Sequence, residues 1–256
     1  MKGWYAVFRK EVAQFFVSPI AYAIMAIFVV IVGFFFWANI SFMSLISLQA
    51  ASNPGIAGRI NLTDFVLRPL IQNISIVLLF VMPLVSMRLF SEEKKSGTME
   101  LLLTYPLTDT GVLAGKFLGA MFFLLVMLAG TFTIPVLMFA LGEPDPGTLI
   151  SGYLGMLLMA SAFMSLGMFV SSMTENQIVA AAVSFGAALL FWVMSWSASL
   201  AGETAGYVLR QLSVLEHLET FNKGIISLSD VSFFVLFSAF FLFLTLRTLE
   251  AHRWKG

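Results

Sequence analysis

The segment of this chain most like a nucleotide-binding loop is Gly111-Val112-Leu113-Ala114-Gly115-Lys116-Phe117. A phosphate cradle needs four residues between its glycines and a Ser or Thr after the lysine, so that backbone amides wrap the phosphates and a hydroxyl reaches the magnesium. Here three residues separate the glycines and a phenylalanine follows the lysine, so the stretch is not an ATP site. Together with Gly119 these glycines recur every fourth residue. Gly111, Gly115 and Gly119 are therefore expected to line a groove where one helix approaches another closely. Other reagents are scarce. There is no cysteine, which excludes thiolate metal sites and cysteine nucleophiles. The two histidines, His217 and His252, are far apart, and neither has an evident partner for metal binding or nucleophilic catalysis. No catalytic, cofactor or metal residue is expected in this chain.

One polar stretch is long enough to dock something: Ser91-Glu92-Glu93-Lys94-Lys95-Ser96-Gly97-Thr98-Met99-Glu100-Leu101-Leu102-Leu103-Thr104-Tyr105-Pro106. Gly97 is expected to break a preceding helix, Thr98 to cap a new one, and Glu100 to suit the positive end of its dipole. Pro106 ends it, because the residue before a proline is pushed out of the helical region. The product is a stiff helix of one or two turns with charge before it and three leucines on it. Covering each leucine is worth about 1.5–3 kcal/mol, so Leu101, Leu102 and Leu103 are expected to seek a socket on another protein. Glu92, Glu93, Lys94, Gly97, Thr98 and Glu100 would supply the polar contacts around that plug.

These residues must be held by elements that sit in lipid. Of the 256 residues 59% are hydrophobic and 11% charged, with 27 phenylalanines; soluble domains carry about a quarter charged residues and build their surface from them. A bilayer core needs roughly 20 apolar residues per helix, and six segments are long enough, at about 20–43, 65–89, 112–141, 148–171, 178–200 and 230–248. The fold class is therefore all-α, a polytopic membrane protein forming a single transmembrane domain over 1–256. Equal numbers of basic and acidic residues, 14 each, remove the case for a nucleic-acid partner.

Residues 1–17 read as an interfacial helix rather than a signal peptide, since the apolar run after them is long and lacks a clear cleavage site. Trp4, Phe15, Phe8, Val12, Tyr5 and Phe16 share one arc, with Lys10, Glu11 and Gln14 assigned to the opposite face. Ten of the fourteen basic residues, including Lys2, Arg9, Lys10, Arg88, Lys94, Lys95 and Lys116, gather on one side if the N-terminus is cytoplasmic, which puts both termini there. On the other side lie a loop over 44–64, a tight turn at Gly142–Gly147 and the segment 201–229. In that last segment Val208, Leu212, Leu215 and Leu218 recur at helical spacing, so one or two short helices returning towards the membrane are expected. The spans carry no ionisable residue in their central portions, which argues against an ion-coupled transporter, and no charged ring or filter argues for a channel. Ser75, Thr131, Thr133, Ser161, Ser165, Ser184, Ser195 and Ser197 are expected to bond between helices.

Glu93-Lys94, Gly97-Thr98, Glu100-Leu101-Leu102-Leu103, Pro106 and Gly115-Lys116 resemble the first cytoplasmic loop of ABC-2 type transporter permeases. A second stretch, Leu215, His217, Phe221, Gly224-Ile225-Ile226 and Asp230-Val231, resembles the outer segment before the last span in the gliding-motility-associated branch, related to permeases of the nitrous oxide reductase maturation locus. The resemblance implies a type V exporter-like transmembrane domain in a bacterial inner membrane, with 91–106 as the coupling helix that contacts a separate cytoplasmic ATPase. ATP and magnesium would then belong to that ATPase. It also implies pairing with a second permease, as a homodimer or with a related chain, and suggests an accessory membrane protein with an extracytoplasmic domain. The expected function is a permease subunit moving an unidentified substrate. The alternative is a non-transporting membrane anchor that transmits force to an extracytoplasmic partner. Neither substrate nor direction is legible in the sequence.

Overall fold

A computed structural model of the chain describes residues 3–51, 61–99, 108–198 and 202–253. Glu100, Leu101, Leu102, Leu103 and Pro106, and residues 52–60 of the loop expected over 44–64, lie outside the described residues.

Everything regular among the described residues is helical: α1 (Gly3–Val17), α2 (Pro19–Ala51), a π-helical turn (Thr63–Leu67), α3 (Arg68–Ser86), α4 (Arg88–Lys95), α5 (Asp109–Ala129), α6 (Thr133–Leu141), α7 (Pro146–Met173), α8 (Gln177–Ala198), α9 (Glu203–Leu212), α10 (Val214–Asn222) and α11 (Leu228–Arg253). Six stretches are long and apolar enough to cross a membrane: Pro19–Gln49, Thr63–Lys95, Asp109–Leu141, Pro146–Met173, Gln177–Ser197 and Leu228–Ala251. Only helices satisfy their own backbone in hydrocarbon, which is why apolar composition and helical content coincide here.

The fourth stretch, α7, is the axis of the bundle and the most buried of the six. Its small residues let neighbours come close. A Cβ on Gly152 would meet Ile71 of α3, and one on Gly167 would meet Ser86 of the same helix. On another side Ser161 and Ser238 exchange a hydrogen bond at 3.3 Å, and Phe169 packs on Phe241 of α11. The rising residue numbers show α3, α7 and α11 running parallel, interleaved with α2, α5–α6 and α8 running the other way. We call the end of the bundle that carries α1 proximal and the other end distal.

Several boundaries differ from the sequence reading. The first span runs on as helix to Ala51, two turns into the expected loop, because no proline or glycine interrupts it and Ser44 and Ser47 donate to the Ser41 and Met43 carbonyls behind them. The third span breaks at Gly130–Phe132, just ahead of Pro135, whose ring cannot continue the ladder. Residues 88–95 continue the second span as α4, so the polar stretch does not stand apart from it. The serines also depart from expectation. Ser75 and Ser165 bond carbonyls of their own helices, and Ser184 and Ser195 have no partner among the described residues; of the hydroxyls expected to do so, Ser161, with Ser238, and Thr131, with Tyr153 at 2.8 Å, bridge helices. A carbonyl one turn back is always in reach, so it wins over a partner across a gap.

Candidate functional site

At the proximal end four elements converge: α1, α4, the start of α5 and the end of α7. The helix of the second span is interrupted at Met87, four residues after Pro83, and α4 begins beyond it, where a side chain from α7 enters. The Phe90 and Ser91 amides each donate to the Ser171 hydroxyl at 3.0 Å, and that hydroxyl donates to the Met87 carbonyl at 2.8 Å. Ser171 thus stands inside the backbone ladder of the second span, at an interruption that also lies one turn after Pro83. Ser91 also donates to the Met87 carbonyl. Further along, the Lys94 ammonium donates to the Ser172 carbonyl at 2.5 Å. The root of the polar loop is therefore clamped to the end of the fourth span at two points.

A third attachment is ionic. Lys116 of α5 is buried, with 2% of its side chain exposed, and it bonds Glu11 of α1 at 2.6 Å and Glu93 of α4 at 3.0 Å. Lys10 adds a second cation to Glu93 at 2.8 Å, and the Phe90 ring lies 5.3 Å from the Lys116 ammonium. Two carboxylates and two ammonium groups balance, which is what makes burial of Glu11 and Glu93 tolerable. Burial pushes Lys10 down, but the hydrogen bond and charge of Glu93, reinforced by Glu11 and Glu92, hold its ammonium above the usual lysine range.

The groove formed by Gly111, Gly115 and Gly119 seats α1. A Cβ on Gly115 would stand 2.7 Å from the Trp4 carbonyl and the Val7 side chain, and one on Gly119 would stand 2.7 Å from Glu11. Any side chain there would lift the N-terminal helix off α5. The buried stripe of α1 is Val7, Glu11 and Phe15, with Phe15 stacked on Phe123 at 4.8 Å. This corrects the assignment of Glu11 to the polar face. Seven residues after Trp4 it falls only about 20° round the helix from it, inside the packed face, and Lys116 supplies its charge partner.

Of the residues expected to dock a partner, Glu93 is buried in the ionic cluster, Glu92 is half-buried on α4, and Lys94 is held by Ser172. Gly97 sits at φ 69°, the left-handed position that ends α4. Thr98 is helical, and its hydroxyl reaches back to Ser96 at 2.8 Å and towards the Glu93 carbonyl at 3.4 Å. Met99 is buried. Sequence reasoning missed Lys10, Glu11, Phe90 and Ser171. Glu11 could have been found from its angle; a serine at a helix end carries no such signal.

The distal segment holds two short helices, α9 and α10, divided at Ser213. The break shifts the register, so Val208 and Leu212 are exposed while Leu218 is buried, and the stripe read across 208–218 is not one face. Phe221 lies over Gly155 and its carbonyl accepts from Ser151 at 2.7 Å. Gly155 is about nine residues into α7, so α10 reaches about 14 Å down that helix. Gly224, at φ 85°, turns against Thr148 and the Asp145 carboxylate. His217 is not isolated: Nδ1 meets Asp230 at 2.6 Å, Nε2 meets the Gln211 carbonyl at 3.1 Å, and the ring stacks on Phe233 at 4.0 Å. The partner was hidden because Asp230 lies 13 residues on, in the first turn of α11. Asp145 caps α7. Bonds from the Thr148 hydroxyl and the Thr148 and Gly147 amides hold its carboxyl below the usual carboxylate range.

Among the described residues no group of three or more His, Asp and Glu could hold a metal. The model of the ABC-2 family transporter protein matches residues 5–249. The chain belongs to the ABC-2 family. This ABC-2 protein is also 30% identical, over 121 residues, to a chain named probable multidrug ABC transporter permease YbhS from Escherichia coli K12, and equally to its counterpart in Escherichia coli O157:H7. The match takes in 47% of this chain and spans about a third, 32%, of the relatives' length. It is thus an ABC-2 permease, a multi-pass membrane protein of a transport family.

Proposed function

We propose that this chain is the membrane-spanning subunit of an ATP-driven transporter, docked by a separate cytoplasmic ATPase through residues 91–106. The observation that carries the reading is the buried cluster of Lys116, Glu11 and Glu93. A charge cluster is an uneconomical way to stabilise a helix bundle, but it fixes α4 to α1 and α5 in one register. With the Ser171 clamp to α7, it makes the root of the loop, itself the end of the second span, rigid against the third and fourth spans. A push on residues 98–106 would then be delivered to those spans as a rigid-body tilt. Glu92, Gly97, Thr98, Glu100 and the leucines 101–103 are the contacts we assign to the ATPase, which would hold ATP and magnesium.

The N-terminus is cytoplasmic in this reading, supported by the gathering of basic residues at the proximal end. Two such chains, or one with a related permease, would pair in a bacterial inner membrane. The distal stretch from Leu215 to Val231 supports the gliding-motility branch, and His217 and Asp230, both within it, are joined directly. An accessory membrane protein would meet that segment. The relatives' name makes organic drug-like compounds the first cargo to try in reconstituted vesicles. The docking test is direct. The chain is purified with a candidate ABC ATPase partner that forms a complex with it, and Glu100→Arg is expected to dissolve the complex and return ATP turnover to that of the free ATPase. An intact complex with unchanged turnover overturns the assignment.

A further inference from the structure

A second proximal feature lies beside the coupling loop and shares Glu92 with it. A cleft of about 190 Å³ opens where α1 turns into α2, bordered by the α3–α4 junction and the start of α8. Its cationic group is Arg88. Unlike Lys116, Arg88 has no carboxylate within 4 Å among the described residues; its guanidinium lies 3.4 Å from the Ser18 hydroxyl and 4.3 Å over the Phe15 ring. Five donors on a cation, met by one hydroxyl and one ring face, leave most of the guanidinium unanswered. The wall beside it is apolar. Ile20 and Leu84 are exposed on the outer surfaces of the first and second spans, and Ile24 continues the strip one turn deeper.

We propose that this cleft binds an anionic phospholipid, with Arg88 and Ser18 holding the phosphate and one acyl chain lying along Ile20, Ile24 and Leu84. A planar guanidinium matches phosphate oxygens in pairs, and Ser18 marks the level at which the chain enters the first span, where headgroups lie. A soluble phosphate would have no use for the apolar wall. Glu92, the one acid lining the cleft, stands one turn further along α4 and opposes a second negative charge. The occupant is therefore a singly charged phosphodiester, of which phosphatidylglycerol is the simplest lipid example. Basic pockets between spans at a membrane surface are a recurrent setting for such headgroups.

Native mass spectrometry of the full chain in mild detergent tests this, with phosphatidylglycerol, phosphatidylcholine and sn-glycerol 3-phosphate as probes. Phosphatidylglycerol should bind at least about tenfold more tightly than phosphatidylcholine, a difference of about 1.4 kcal/mol. Arg88→Gln should abolish the preference and Glu92→Gln should raise it. Leu84→Trp, at an exposed position, should weaken phosphatidylglycerol binding while leaving Arg88 in place, and it keeps the test open should Arg88→Gln misfold. A full preference surviving in Arg88→Gln, or undiminished phosphatidylglycerol binding in Leu84→Trp if that variant alone folds, overturns the proposal. Displacement of phosphatidylglycerol by an equal concentration of glycerol phosphate also overturns it, in favour of a soluble ligand. None of these readouts involves the ATPase, so they stand or fall apart from docking.

Discussion

Replacing Lys116 by methionine keeps the length of the side chain and removes its charge. In the structure that ammonium is the only cation within 4 Å of Glu11 among the described residues, at 2.6 Å, and one of two on Glu93, the other being Lys10 at 2.8 Å. Glu93 would therefore keep a partner, while Glu11, 5% exposed at its side chain, would lose its own. Stripping one partner from a buried pair destabilises by about 3–5 kcal/mol, because a charge is left in a medium that cannot solvate it. The double variant Glu11→Met with Lys116→Met removes both members of the orphaned pair, and buried pairs exchanged for apolar groups of similar volume are often neutral. We expect Lys116→Met to lose about 3–5 kcal/mol and the double variant to return to within about 1 kcal/mol of the parent. The assay is unfolding in detergent followed by intrinsic tryptophan fluorescence. A loss below about 1 kcal/mol in the single variant, or a double variant no more stable than the single, would refute the account of the cluster.

Three further outcomes are expected from the same geometry. Gly115→Leu should cost about 1–3 kcal/mol through overpacking against Trp4 and Val7 and expose α1 to trypsin at Lys10, whereas Gly33→Ala, with nothing within 4 Å of its added Cβ, should do neither; equal trypsin sensitivity of the two variants would tell against the groove. Ser171→Ala leaves the Phe90 and Ser91 amides unmet, a loss of about 1–3 kcal/mol, and hydrogen exchange should accelerate at those two amides first; unchanged protection there would sink the clamp. Asp145 has a depressed pKa when folded, so it contributes stability above its unfolded value of about 3.9, and that contribution disappears as pH falls through the folded value. Asp145→Asn should flatten this acid-side loss in a pH series of melts, and an unaltered slope would remove the cap from the explanation.

Much of the bundle was readable because apolar runs of this length have one solution in lipid. The glycines at 111, 115 and 119 announced a close helix contact, yet their spacing could not name α1 as the helix, since nothing in either segment encodes the pairing except Glu11 and Lys116, 105 residues apart. What escaped the sequence was long-range and polar. Ser171 enters the backbone ladder of a helix 80 residues away, His217 finds Asp230 across a turn, and the second span continues through the start of the polar loop. Each is decided by which backbone groups tertiary packing leaves unmatched, and local pattern does not report that. The hydroxyls erred in the opposite direction: several expected to reach across helices chose the local carbonyl, as Ser75 and Ser165 do.

The glycines of α7 also set the gearing of the bundle. Ile71 faces Gly152 and Ser86 faces Gly167, so two seats 15 residues apart on one helix receive two side chains 15 residues apart on its neighbour. The two rods mesh like racks cut to the same pitch over about 22 Å. A slip by one tooth towards the proximal end would set Met156 against Ile71 and Ser171 against Ser86, where there is no notch to take them. A slide of the second span past the fourth would have to lift both side chains out of their seats, so the two helices are expected to move as one unit.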